Sequence, residues 1–166
     1  MAEFTIEQHN PAYVEQLRPL WLAMRSHHGS VTPDWGPVRD DDDSWARRRA
    51  DYVKWLAEPD AFCLVARAPD GTILGYALVT VNEGSPTWAS VRRFGYLESL
   101  SVLPDARGQG VGGALLRAVE DHLATLDVEH VELTVVANNT EARRFYEREG
   151  YAAAFVTMQR RSRRTP

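Results

Sequence analysis

Tyr96-Leu97-Glu98-Ser99-Leu100-Ser101-Val102-Leu103-Pro104-Asp105-Ala106-Arg107-Gly108-Gln109-Gly110-Val111-Gly112-Gly113-Ala114-Leu115-Leu116 is the stretch on which the fold of this chain turns. Residues 94–103 have the composition of a strand that Pro104 ends, and Val111, Leu115, Val119, Leu123 and Leu126 then fall on one side of a helix. A glycine-rich turn between a strand and a helix lets backbone N–H groups converge on an anion at the helix N-terminus. Glycine suits it because a Cβ would block close approach to a phosphate and penalise unusual dihedrals. Arg107 adds a positive charge beside the turn. Taken alone, the same segment also reads as a turn that only lets a helix pack closely on a strand. Gly108, Gly110 and Gly113 spell the G-x-G-x-x-G of a dinucleotide site. The ribose-binding acid expected about 20 residues on has no candidate, because 131–136 runs into Ala137-Asn138-Asn139. A Walker A loop fails for want of its Gly-Lys-Ser or Gly-Lys-Thr.

Outward from this centre the chain alternates strands and helices. Residues 4–8 read as a strand, and Asn10-Pro11 supplies an N-cap and a first-position proline for a helix carrying Val14, Leu17, Trp21 and Met24. Pro19 kinks or divides that helix. Residues 27–43 read as loop, and a second helix begins near Ser44, presents Trp45, Tyr52, Trp55 and Leu56, and stops before Pro59. Segments 61–68 and 73–81, joined by Pro69-Asp70-Gly71, read as an antiparallel hairpin. Residues 82–93 read as a long loop. After the central helix, 131–136 reads as a strand, 140–149 as a short helix ending at Gly150, and 151–159 as a returning strand. The order β-α-α-β-β-β-α-β-α-β predicts an α/β class with a mixed sheet and a single domain over 1–166.

With 166 residues, 44% apolar and 25% charged, the chain has a globular composition. No apolar run approaches membrane-spanning length, and 1–10 lacks a basic start followed by an apolar run, so a cytoplasmic address is expected. Nineteen Lys and Arg against 23 Asp and Glu give a net charge of −4, which disfavours nucleic acid and acidic membranes as partners. The run Arg160-Arg161-Ser162-Arg163-Arg164 reads as a solvated tail. The single cysteine, Cys63, lies in the apolar run Phe62-Cys63-Leu64-Val65 and reads as a buried structural thiol, with no internal disulfide and no metal cluster.

The central stretch, with its R-x-x-G-x-G core, resembles the acetyl-CoA motif of GNAT N-acetyltransferases. Downstream, Asn139-Thr140-Glu141-Ala142-Arg143-Arg144-Phe145-Tyr146-Glu147-Arg148-Glu149-Gly150-Tyr151 resembles that family's N-x-x-A-x-x-x-Y-x-x-x-G-[FY] segment. The two in register cover about half of the chain, 94–151. The resemblance implies a central twisted mixed sheet flanked by helices, with acetyl-CoA as acyl donor. It further implies that Leu100 and Val102 offer main-chain groups to the pantetheine arm, and that Arg107, Gly108, Gly110 and Gly112 hold the pyrophosphate. Asn139 touches the pantetheine or orders the neighbouring loop, and Tyr146 points its hydroxyl at the thioester sulfur.

Attack of an amine on a thioester needs a neutral nucleophile, a stabilised oxyanion and a proton for the thiolate. Glu98, on the cofactor strand, is the candidate base, or alternatively binds a cationic acceptor or pairs with Arg92 or Arg93. Tyr146 is the candidate acid, and a main-chain N–H at or near Leu100 the carbonyl polariser. His27 and His28, read as following the first helix, are candidate acceptor-binding residues or simply exposed. Asp40-Asp41-Asp42-Asp43 reads as a charge cluster ahead of a helix rather than a polycation site. Tyr96-Leu97-Glu98 resembles the Y-L-E-D run of polyamine and thialysine acetyltransferases, but Ser99 replaces the second acid. The acceptor is therefore taken no further than a primary amine on a small molecule, amino acid derivative or peptide, and a homodimer is left open. Two other classes stand beside this reading: an acyl-CoA sensor without turnover, and an interaction module using the basic tail.

Overall fold

The computed structural model describes residues 3–84, 86–89 and 91–160. Its core is one sheet of β1 (Thr5–Gln8), β2 (Phe62–Arg67), β3 (Ile73–Glu83), β4 (Arg93–Val102) and β5 (Val131–Leu133), arranged in chain order. The first three pairings are antiparallel and β4 pairs β5 in parallel. A parallel neighbour requires a crossover, which α3 (Val111–Thr125) provides. The predicted mixed α/β class is therefore the observed one.

Alternation along β2 and β3 divides the core between two faces. Phe62, Leu64, Ala66, Ala77 and Val79 pack against Val111, Leu115, Leu116, Val119 and Leu123 of α3. Cys63, Val65, Ile73, Tyr76 and Leu78 point the other way, toward α1 (Arg18–Val31), α2 (Asp41–Trp55) and the 3₁₀ segment Pro11–Leu17. Period-two alternation with both faces covered is what the apolar runs of these strands require. Burial pushes the Cys63 thiol up to about 12, so it is an inert packing group, as the sequence indicates.

Four sequence boundaries are corrected by tertiary contacts. Pro19 does divide the first helical stretch: it occupies the first turn of α1, where its missing N–H is no loss. That helix then continues through His27 and His28 to Val31, in the stretch read as loop, with the Thr32 hydroxyl donating to His28 O (2.7 Å). Likewise α2 starts at Asp41 rather than near Ser44, because Asp40 accepts the Asp43 N–H (2.9 Å) as N-cap. Strand β5 stops at Leu133 instead of 136, and the returning strand expected over 151–159 is not formed, although Gly150 adopts the expected left-handed cap with Tyr151 N–H on Tyr146 O (2.9 Å). Among the described residues no strand edge pairs with that last segment, and Phe155, Val156 and Met158 remain exposed. Residues 161–164 of the basic tail lie outside the described residues. No helix among the described residues is long and apolar enough to cross a membrane.

Candidate active site

The pairing of β4 with β5 covers Gly95, Tyr96 and Leu97 and stops where β5 ends at Leu133. Along β3 the register moves from Leu78↔Ser99 to Val79↔Leu97, so Glu98 is the extra residue of a β-bulge. A bulge re-aims side chains. Here it switches the buried residues of β4 from the α3 face at Leu97 to the α1–α2 face at Ser99 and Ser101. The Tyr52 hydroxyl donates to Ser99 (2.8 Å), and the Ser101 hydroxyl donates to Leu20 O (2.9 Å). Ser99, where the resemblance led to an acid, is thus a buried neutral link to Tyr52.

Glu98 is half-buried and accepts from the Thr80 hydroxyl at 2.9 Å. It forms no ion pair with Arg92 or Arg93, which pair with Asp127 and Asp60. Burial pushes its carboxyl above the ordinary carboxylate range, opposed by the Thr80 hydrogen bond and the charge of Arg48. A carboxyl raised on folding contributes its stability below the unfolded value of about 4.3 and loses it as pH rises through the folded value. Glu98→Gln, which cannot ionise, is therefore expected to gain melting temperature over wild type at pH 7 relative to pH 4. Thermal unfolding at the two pH values checks this, and an equal difference at both would contradict a desolvated carboxylate.

Beyond the bulge, β4 leads through Pro104–Ala106 to the glycine turn. Gly108 and Gly110 have φ of 71° and 84°, and a Cβ on either would meet nothing within 4 Å. Gly110 is the N-cap of α3 and offers no side-chain cap, so no side chain at the N-cap satisfies the first N–H groups of the helix, and the space beside Gly108 and Gly110 is open. Gly112 lies inside α3, and its Cβ position is 3.1 Å from Phe145 and 3.8 Å from Val102. Its bareness therefore serves the approach of α4 (Thr140–Arg148). The Arg107 Nε donates to Val102 O at 3.3 Å, which folds its guanidinium back along the end of β4. These groups fit the pyrophosphate of a CoA donor, and the unpaired edge of β4 past Leu97 fits an extended pantetheine.

Asn139 is buried and caps α4: its Oδ1 accepts from Ala142 N–H (3.2 Å) and lies 3.2 Å from His27 Nε2. The second contact brings His27 from α1 to the start of α4. His28 is also largely shielded, and its pKa is lowered by burial and by the charges of His27 and Arg48. Tyr146 lies between Phe145 and Tyr151, with ring centroids at 5.1 and 5.7 Å, and packs with Leu100 and Val102 on the α3 side. Burial pushes its phenol up to about 12, so it keeps its proton at neutral pH. The acidic run is absorbed structurally: Asp41, Asp42 and Asp43 pair with Arg25, Arg18 and the pair Arg39 and Arg47.

Arg48 was not singled out by the sequence. It shares the inner face of α2 with Trp45, Tyr52 and Trp55, and a lone arginine on an apolar helix face was the available signal.

A mixed five-stranded sheet flanked by helices, with a bulged fourth strand leading to an uncapped helix, defines an α/β architecture. The chain belongs to the acetyltransferase (GNAT) family, whose model matches residues 21–151. It is 31% identical over 126 residues to a mycothiol acetyltransferase of Saccharomonospora viridis, a match covering 76% of this chain and 40% of that protein. An uncharacterized N-acetyltransferase of Methanocaldococcus jannaschii is 35% identical over 98 residues, covering 58% of this chain and 56% of that one. The chain thus spans about half the length of these curated relatives. Among solved structures, a tetramutant of the BH1408 protein from Bacillus halodurans superposes with a TM-score of 0.81 at 19% identity over 95% of this chain and 99% of that one. Aminoglycoside N-acetyltransferase AAC(6')-Iy, solved with CoA, gives 0.70 at 21% identity over 98% and 97%. At these identities both likenesses concern the fold.

Proposed function

We propose that this chain transfers the acetyl group of acetyl-CoA directly to a primary amine on a small molecule, amino acid derivative or peptide. The observation that carries this is the double use of β4: its bulge aims Glu98 at the α1–α2 face, and its far end opens on the cradle at Gly108 and Gly110. Glu98 takes a proton from the acceptor ammonium, directly or through water, which frees the nitrogen lone pair for the carbonyl carbon. A main-chain N–H at or near Leu100 polarises the carbonyl oxygen. Tyr146 donates a hydrogen bond to sulfur as the C–S bond breaks, and the second proton that the nitrogen loses goes to the departing thiolate. The balance is ammonium plus thioester giving amide, free thiol and one proton released through Glu98. No enzyme side chain is acylated, in keeping with the buried, protonated Cys63.

The mycothiol acetyltransferase among the relatives similar in sequence supports a small-molecule acceptor. The test is release of free CoA from acetyl-CoA across a panel of primary amines. Release with at least one amine, accompanied by the N-acetyl product, is expected. Tight acetyl-CoA binding without release for any amine would make the chain an acyl-CoA-binding module instead.

A further inference from the structure

Arg48 stands apart from the other arginines around it. On α2 itself, Arg47 pairs with Asp43 and Arg49 with Glu15, whereas Arg48 between them forms no ion pair and no hydrogen bond among the described residues. Its guanidinium is half-buried over three rings, with its central carbon 4.3 Å from the Trp21 centroid, 5.4 Å from that of Trp55 and 5.7 Å from that of Tyr52. Aromatic faces hold a cation in place but satisfy none of its five N–H donors, which point in a planar fork suited to a carboxylate. Arg48 also lies close enough to Glu98 and His28 for its charge to be felt at both. The α1–α2 face of the bulge therefore carries a carboxylate for an ammonium and an unpaired guanidinium for an anion.

We infer that the acceptor is an amine that also bears a carboxylate, with Arg48 as the residue that selects it. This rests on the acetyl-transfer reading above and names the acceptor class for the same site. The matched probes are glycine, β-alanine and γ-aminobutyrate, each beside its carboxamide, titrated into the protein saturated with CoA and then assayed for turnover with acetyl-CoA. At least one acid is expected to bind, and to give a kcat/KM, about 10- to 100-fold above its amide, the range for hydrogen bonds to a charged group. Arg48→Met keeps a long stem among the rings without the charge and should bring that ratio close to one through KM. Arg48→Lys should restore part of it. Equal binding of acids and amides by wild type, no binding by any acid, or a ratio that survives in folded Arg48→Met would each overturn the inference. The wild-type ratio decides the matter alone if Arg48→Met does not fold. An acid preference in binding without CoA release from any amine would overturn the transfer reading and leave the role of Arg48 standing.

Discussion

Gly110→Asp is expected to lower acetyl-CoA affinity about a thousandfold while leaving the protein folded. The residue is the N-cap of α3 with φ of 84°, and a Cβ there projects into open space rather than into the protein. Aspartate tolerates the left-handed region better than most residues, so the conformational cost is limited to roughly 1 kcal/mol. Its carboxylate, however, would stand at the uncapped start of α3, where the pyrophosphate is proposed to bind. A like charge about 4 Å from a phosphate at an effective dielectric near 20 costs about 4 kcal/mol, or close to three powers of ten in Kd. Gly110→Ala carries the backbone cost without the charge and should lose far less. Calorimetric titration with acetyl-CoA on all three proteins measures this. Unchanged affinity in a folded Gly110→Asp would remove the pyrophosphate from the turn.

Tyr146→Phe is expected to slow single-turnover acetyl transfer by about 10²-fold with acetyl-CoA affinity largely kept. Phenylalanine preserves the packing against Phe145 and Tyr151 and deletes only the hydroxyl. The size of the effect follows from proton affinities. The phenol is pushed up to about 12, whereas a thiol titrates near about 8.5, so complete transfer to a free thiolate is uphill. On the proposed mechanism Tyr146 therefore acts by donating a hydrogen bond to sulfur as charge develops there, and its effect belongs at the low end of the general-acid range. Because the phenol stays protonated well above neutrality, the ratio of wild-type to mutant rates should be flat between pH 6 and 9. A chemical step in the mutant close to that of wild type would reduce Tyr146 to a packed ring.

What the sequence by itself determined is local and strongly patterned. Gly150 was legible as a left-handed cap and the glycine turn as a place of unusual dihedrals, because few other residues adopt a positive φ without cost, and Gly108, Gly110 and Gly150 all have it. The hairpin at Pro69-Asp70-Gly71, the apolar stripe of α3 and the buried Cys63 were equally readable, since turn chemistry and helical spacing are properties of neighbouring residues. The order of elements led to the mixed sheet, and two motifs in register led to the family.

Only the tertiary structure decided features that depend on residues far apart in the chain. The bulge at Glu98 exists because β3 fixes the register on either side of it, and no pattern within β4 announces an extra residue. Strand β5 ends at Leu133, where its pairing with β4 ends, and among the described residues 151–159 pairs with no strand of the sheet. Helix α1 extends over His27 and His28, where apolar spacing gives out, with Val38 against Gly29 and Asn139 against His27. Arg48 looked like one basic residue in a row of three until folding set Trp21 from another helix over it. Periodicity records which face of an element is apolar, but the partner that face meets is set by packing between elements, and it is the partner that turns an arginine or a carboxylate into part of a site.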